Sequence, residues 1–96
     1  MNEKFKNIQT DSDTSILTNV ETKFGELDCV YQIWVYDSIQ ASSLIFYKND
    51  IKDLSNEELE NLLRTSPLMT DNTSEITFSS TSDEYTFINF NFEYLD

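Results

Sequence analysis

Tyr85-Thr86-Phe87-Ile88-Asn89-Phe90-Asn91-Phe92-Glu93-Tyr94 is the stretch that decides the fold. Side chains alternate faces along a strand, so Ile88, Phe90, Phe92 and Tyr94 fall on one side. Asn89, Asn91 and Glu93 take the other. A dense apolar face backed by a polar one is the pattern of a half-buried antiparallel strand.

The other strong strand signal runs from Leu27 to Tyr36. Cys29, Tyr31, Ile33 and Val35 alternate with Val30, Gln32, Trp34 and Tyr36, and both sets are largely apolar. Such a strand is expected at the centre of a sheet, covered on each side, one cover being a helix and the other the N-terminal arm or another subunit. A weaker strand is expected over Ser15–Lys23, with the turn at Phe24-Gly25-Glu26, which holds the only glycine. Asp37–Ser42 reads as a loop and Leu44–Tyr47 as a short third strand. Ser74–Ser79 reads as a fourth, with Ile76 and Phe78 facing in. Residues 1–14 are polar and read as a loose arm, ordered only near Phe5 and Ile8.

The helix carries its own punctuation. Ser55-Asn56-Glu57-Glu58 matches a capping box, with Leu54 and Leu59 placed as a hydrophobic staple. Leu59, Leu62 and Leu63 form one stripe for burial against the sheet. Glu57, Glu58 and Glu60 sit where the helix dipole favours negative charge, and Arg64 sits in the last turn. Pro67 bars continuation. The expected fold is therefore α+β: one domain over residues 1–96, with an antiparallel sheet of four to five strands in the order β-β-β-α-β-β and one helix packed on a face. Two hairpins bracket the helix.

Charge is the outstanding compositional feature. Eighteen acids face six bases, a net charge of −12 in 96 residues. The excess is lopsided: residues 1–52 hold eight acids and five bases, whereas residues 53–96 hold ten acids and Arg64 alone. Such a surface repels nucleic acid and anionic membrane and attracts a basic partner over long range. The aromatic complement (seven Phe, five Tyr, one Trp) supplies enough buried area for a small core, so the chain is expected to be globular.

Much chemistry is excluded. With no histidine, the commonest general base and every Ser-His or Cys-His pair are missing. Cys29, the single cysteine, lies inside a strand with no basic neighbour in sequence and reads as a small buried apolar residue. One glycine rules out glycine-rich phosphate loops. Asp11-Ser12-Asp13-Thr14-Ser15 opens like a calcium loop, but Ile16 stands where glycine is required and Thr22 where glutamate is. Trp34 and Tyr36 lack the cationic groove that base stacking needs. No enzyme, cofactor or metal site is expected. Nor does any apolar run reach the length of a membrane span or a signal peptide, and a lone cysteine fits a reducing compartment, so a cytoplasmic protein is expected.

The acids are what remain. Glu75 projects from the fourth strand opposite Ile76 and Phe78, and Glu93 from the fifth opposite Ile88 and Phe90. Asp71, Asp83, Glu84 and Asp96 lie in adjoining loops or at the terminus, with Glu57, Glu58 and Glu60 as a second patch. Alternate residues on a strand are about 6.6 Å apart, of the order of the phosphate spacing along a nucleic-acid strand. In size, charge and compact α+β build with Asn/Asp/Glu-rich loops, the whole chain resembles the small acidic inhibitors that phages and mobile elements make against host defence, anti-CRISPR and anti-restriction proteins among them. The resemblance rests on no motif, so it carries over no functional residue. It implies stoichiometric binding that blocks a nucleic-acid site in the host cytoplasm, without catalysis, in some cases as a DNA mimic. Two other readings fit the same residues. One is an immunity protein or antitoxin covering a toxin. The other is a structural adaptor that forms a homodimer through the apolar face around Val30, Trp34 and Tyr36.

Overall fold

The computed structural model describes residues 5, 8, 14–66, 75–79 and 83–94. Three strands come first: β1 (Thr14–Thr22), β2 (Gly25–Tyr36) and β3 (Ile39–Tyr47). A 3₁₀ turn (Lys48–Asp50), the helix α1 (Asn56–Arg64), β4 (Thr77–Ser79) and β5 (Tyr85–Tyr94) follow. All pairings are antiparallel, in the order β1-β2-β3-β5-β4. The chain thus meanders through β1, β2 and β3 and crosses by way of α1 to the far edge at β4. It then returns along β5 in the gap between β3 and β4. This is an α+β fold with a five-stranded antiparallel sheet and one helix.

Two local features link the strands. Lys23 and Phe24 form the β1–β2 turn. Gly25 follows at φ 103°, a conformation open to glycine at no steric cost. Thr22 Oγ1 accepts from the Phe24 amide at 3.0 Å and donates to the Gly25 carbonyl at 2.8 Å, which closes the turn. The turn therefore sits one residue earlier than Phe24–Glu26. The second difference is larger. β3 begins at Ile39 rather than Leu44, and only Asp37 and Ser38 separate it from β2, with Asp37 at φ 54°. Gln40 and Ser42 read as loop because they are polar, and Ser43 falls between that loop and the expected strand, but the sheet satisfies the two serines. Ser43 Oγ donates to Asn89 Oδ1, and Ser42 Oγ shares a hydrogen bond of 3.2 Å with the Tyr31 hydroxyl. β4 is shorter than expected, Thr77–Ser79; Ser74, Pro67 and the loop read over Leu68–Thr73 lie outside the described residues.

The sheet is covered on both sides. On one side α1 lays Leu59 and Leu63 over Cys29, Leu44, Phe46, Ile88 and Phe90, with Ile51 and Leu54 closing the end. The capping box forms in full: the Glu58 amide donates to Ser55 Oγ and the Ser55 amide to Glu58 Oε1, both at 3.1 Å. On the other side Phe5 and Ile8 are buried against Val30, Ile45 and Tyr85. The Phe5 and Tyr85 rings stack at 6.2 Å between centroids, and Tyr47 meets Tyr85 edge-on at the same distance. Of the two covers open for this side of β2, the N-terminal arm supplies the one seen over Val30. Trp34, farther along the strand, is half-buried, and the Tyr36 side chain lies outside the described residues.

A bulge breaks β5. Gln40 pairs with Glu93 and Ser42 with Phe90, so the single residue Ala41 opposes both Asn91 and Phe92. Asn91 takes φ 53°, the left-handed region that asparagine tolerates better than most side chains. One extra residue inverts the alternation beyond it. Ile88 and Phe90 face α1 as expected. Tyr94, opposite Ile39, points to the arm-covered side, and Phe92 with it. Phe92 and Tyr94 are 39% and 79% exposed rather than part of the core that Ile88 and Phe90 build.

Candidate functional site: the acidic surface

Seven of the nine acids singled out from sequence fall among the described residues. The three on α1 differ from one another. Glu57 is exposed in the first turn. Glu58 is held by the capping box and by Lys23 of the β1–β2 turn, whose Nζ lies 2.7 Å from Glu58 Oε2. The Lys23 hydrogen bond, and after it the Ser55 amide, holds the Glu58 carboxyl below its ordinary range. Glu60 accepts from Arg64 Nε and Nη2 of the next turn at 3.2 and 3.0 Å. Two of the three helix acids are thus neutralised by bases of the same chain.

The sheet acids are spread out. Asp83 and Glu84 are exposed just before β5, where the Glu84 carbonyl accepts the Lys48 amide at 2.8 Å. Glu93 lies near the other end of β5, nine residues beyond Glu84. At about 3.3 Å per residue that is about 30 Å, most of the 40 Å long axis of the molecule. Glu93 also fails to project opposite Ile88 and Phe90. The Asn91 bulge turns it to their side of the sheet, beyond the part α1 covers, where it pairs with Gln40. Glu75 is exposed two residues before β4. Asp71 and Asp96 lie outside the described residues. The fold therefore separates Glu84 from Glu93 instead of lining them up in one row.

A different set of acids does come together. The β1–β2 register pairs Glu21 with Glu26 and Asn19 with Asp28, which puts Glu21, Glu26 and Asp28 on the sheet face away from α1. Directly opposed residues on antiparallel strands have Cβ atoms about 4.5–5.5 Å apart, and diagonal ones about 7–8 Å. Like charges so opposed repel. These three acids lie in the less acidic first half of the chain, so charge pattern alone does not single them out. A turn placed one residue late also gives β1 and β2 a different pairing.

The single thiol is not poised as a nucleophile. Cys29 is fully buried, and its thiol is pushed up to about 12, first by burial and then by the neighbouring Asp28 charge. At neutral pH it is protonated and inert. Among the described residues no group of His, Cys, Asp and Glu side chains is arranged to hold a metal ion. No helix among them is long and apolar enough to cross a membrane. Shallow grooves flank α1. One of about 300 Å³ runs between Lys23 and Leu62, and another of about 370 Å³ runs between Lys52 and Phe78.

Comparison with protein-family models, with curated proteins and with solved structures returns no match for this chain.

Proposed function

We propose that this chain is a non-enzymatic inhibitor that binds a basic protein and blocks its nucleic-acid-binding site in the host cytoplasm, in the manner of anti-CRISPR or anti-restriction proteins. The observation that carries the reading is the charge: a net −12, with ten acids against one base after residue 52. Glu57, Glu75, Asp83, Glu84 and Glu93 are exposed. Such a field raises the encounter rate with a cationic cleft and repels the nucleic acid that competes for it. The spacing of Glu84 and Glu93 favours contact at several points around the cleft over mimicry of a single phosphate row.

The test is a DNA-cleavage assay with a panel of CRISPR effector nucleases and restriction endonucleases. The reading predicts that near-stoichiometric amounts of the chain abolish cleavage by a panel member and that raising the salt restores it. Uninhibited cleavage across the panel at low salt contradicts it.

The exposed apolar groups favour a second reading, self-association as a structural adaptor. Ile39, Phe92 and Tyr94 are exposed on one face at one end of the sheet, and an exposed apolar patch often marks an interface. Sedimentation separates the two: a dimer that persists from low to high salt supports the adaptor, and a monomer supports the inhibitor.

A further inference from the structure

We propose that the outer edge of β1 is a strand-addition site for an extended basic segment of the partner. The proposal rests on the functional reading above only in taking that partner to be basic.

β1 is the end strand of the sheet, and among the described residues nothing pairs with its outer side. Alternate backbone N–H and C=O groups along its nine residues therefore point outward. Exposed edges are usually blunted by lysine, proline, a bulge or a very short strand. The other edge, β4, is only three residues long. β1 has none of these protections: from Thr14 to Val20 it carries no charge and no proline, and its register with β2 is unbroken. Ile16 and Leu17 stand 52% and 44% exposed on opposite faces, so an added strand finds apolar contacts on both sides.

Charge selects the occupant. Glu21 and Glu26 oppose each other at one end of β1, on the same face as Leu17, with Asp28 diagonal to Glu21. A lysine or arginine from an added strand lies next to Glu21 on that face and relieves the repulsion between the two glutamates. A segment alternating β-branched residues with lysine or arginine meets all these demands. A second copy of this chain brings another −12, and its own β1, Thr14–Thr22, holds no lysine or arginine to set beside Glu21.

The probe is a ten-residue peptide alternating valine and lysine, together with the same peptide N-methylated at alternate backbone nitrogens. Main-chain hydrogen bonds give strand addition its affinity, so methylation should weaken binding about tenfold or more although the charge is unchanged. Glu21→Gln with Glu26→Gln should weaken the unmethylated peptide several-fold. Amide-proton shifts and exchange protection should concentrate in residues 14–21. Equal binding of the two peptides, or shifts confined to Glu57, Glu75 and Glu84, overturns the proposal, because either means charge adsorption alone. Concentration-dependent protection of β1 without peptide overturns it in favour of a second copy. Peptide capture at β1 by a chain that inhibits no nuclease keeps this site and removes the functional reading. Nuclease inhibition with no discrimination between the peptides does the reverse.

Discussion

The stretches of β5 on either side of Asn91 have the same sequence pattern and opposite fates. From Ile88 to Phe90 the alternation of apolar and polar residues maps directly onto the two faces, with Ile88 and Phe90 buried under α1, while Tyr85 and Phe87 before them pack on the side the arm covers. From Asn91 to Tyr94 the same alternation continues in the sequence, but the aromatic residues emerge on the other face and into solvent. The difference lies in one residue, Asn91, which adopts a left-handed backbone and adds a position against Ala41. A strand's pattern thus predicts its faces only over a run without a bulge. Here the bulge also decides the direction of Glu93, and with it which acids can act together.

The comparison is broken most forcefully by truncating the rings. Phe90→Ala opens a cavity in the packed core and should cost about 3–5 kcal/mol in chemical denaturation. Phe92→Ala, on the exposed half, should cost only about 1–2 kcal/mol, because its ring is already 39% exposed. Similar losses for the two would mean that both rings are core and that the alternation runs unbroken.

The hinge between the halves comes next. Asn91→Ala places a less tolerant side chain at φ 53° and should destabilise by about 1 kcal/mol, while Asn91→Gly should be neutral or better. If Asn91→Ala is silent and Asn91→Gly destabilises, the left-handed conformation is absent in solution.

A third test contrasts an acid held by its own chain with one that is exposed. Glu58 has a depressed carboxyl pKa in the folded state, so its contribution is present above the unfolded value, about 4.3. It disappears as pH falls through the folded value. Glu58→Gln should therefore lower the melting temperature at pH 7, and the deficit should narrow as the pH is lowered from about 4.3. Glu93→Gln should leave melting unchanged at pH 7 or raise it slightly, by removing one negative charge. A pH-independent deficit for Glu58→Gln would point to packing in place of the Lys23 and Ser55 contacts.

The smallest effect is general. Screening of twelve net charges should raise the melting temperature by a few degrees between low and moderate salt. A fall would mean that local pairs such as Lys23–Glu58 outweigh the overall repulsion.

Much of this architecture is legible from residue pattern. The bounds of β5 and the capping box at Ser55 follow from alternation and from side-chain hydrogen-bonding rules, which act within a few residues. So does the Leu59/Leu63 stripe. What escapes is set by partners distant in sequence. Ser42 looks like a loop residue, and Ser43 like no part of a strand, until Tyr31 and Asn89 are beside them. The bulge needs β3 as a ruler. The opposition of Glu21 and Glu26 needs a turn position correct to one residue. The acids of the candidate surface are legible in the sequence and their dispersal is not, because charge carries no information about direction until the register is known.

The most direct test of the account is the association rate with an inhibited nuclease, measured against ionic strength for two variants. One, E75K/E84K/E93K, reverses exposed acids; the other, E58K/E60K, reverses acids already held by Lys23 and Arg64. The account predicts that the first slows association about tenfold or more at low salt, with the difference fading as salt rises, and that the second slows it far less. Equal rates for the first variant and the unmodified chain would contradict it.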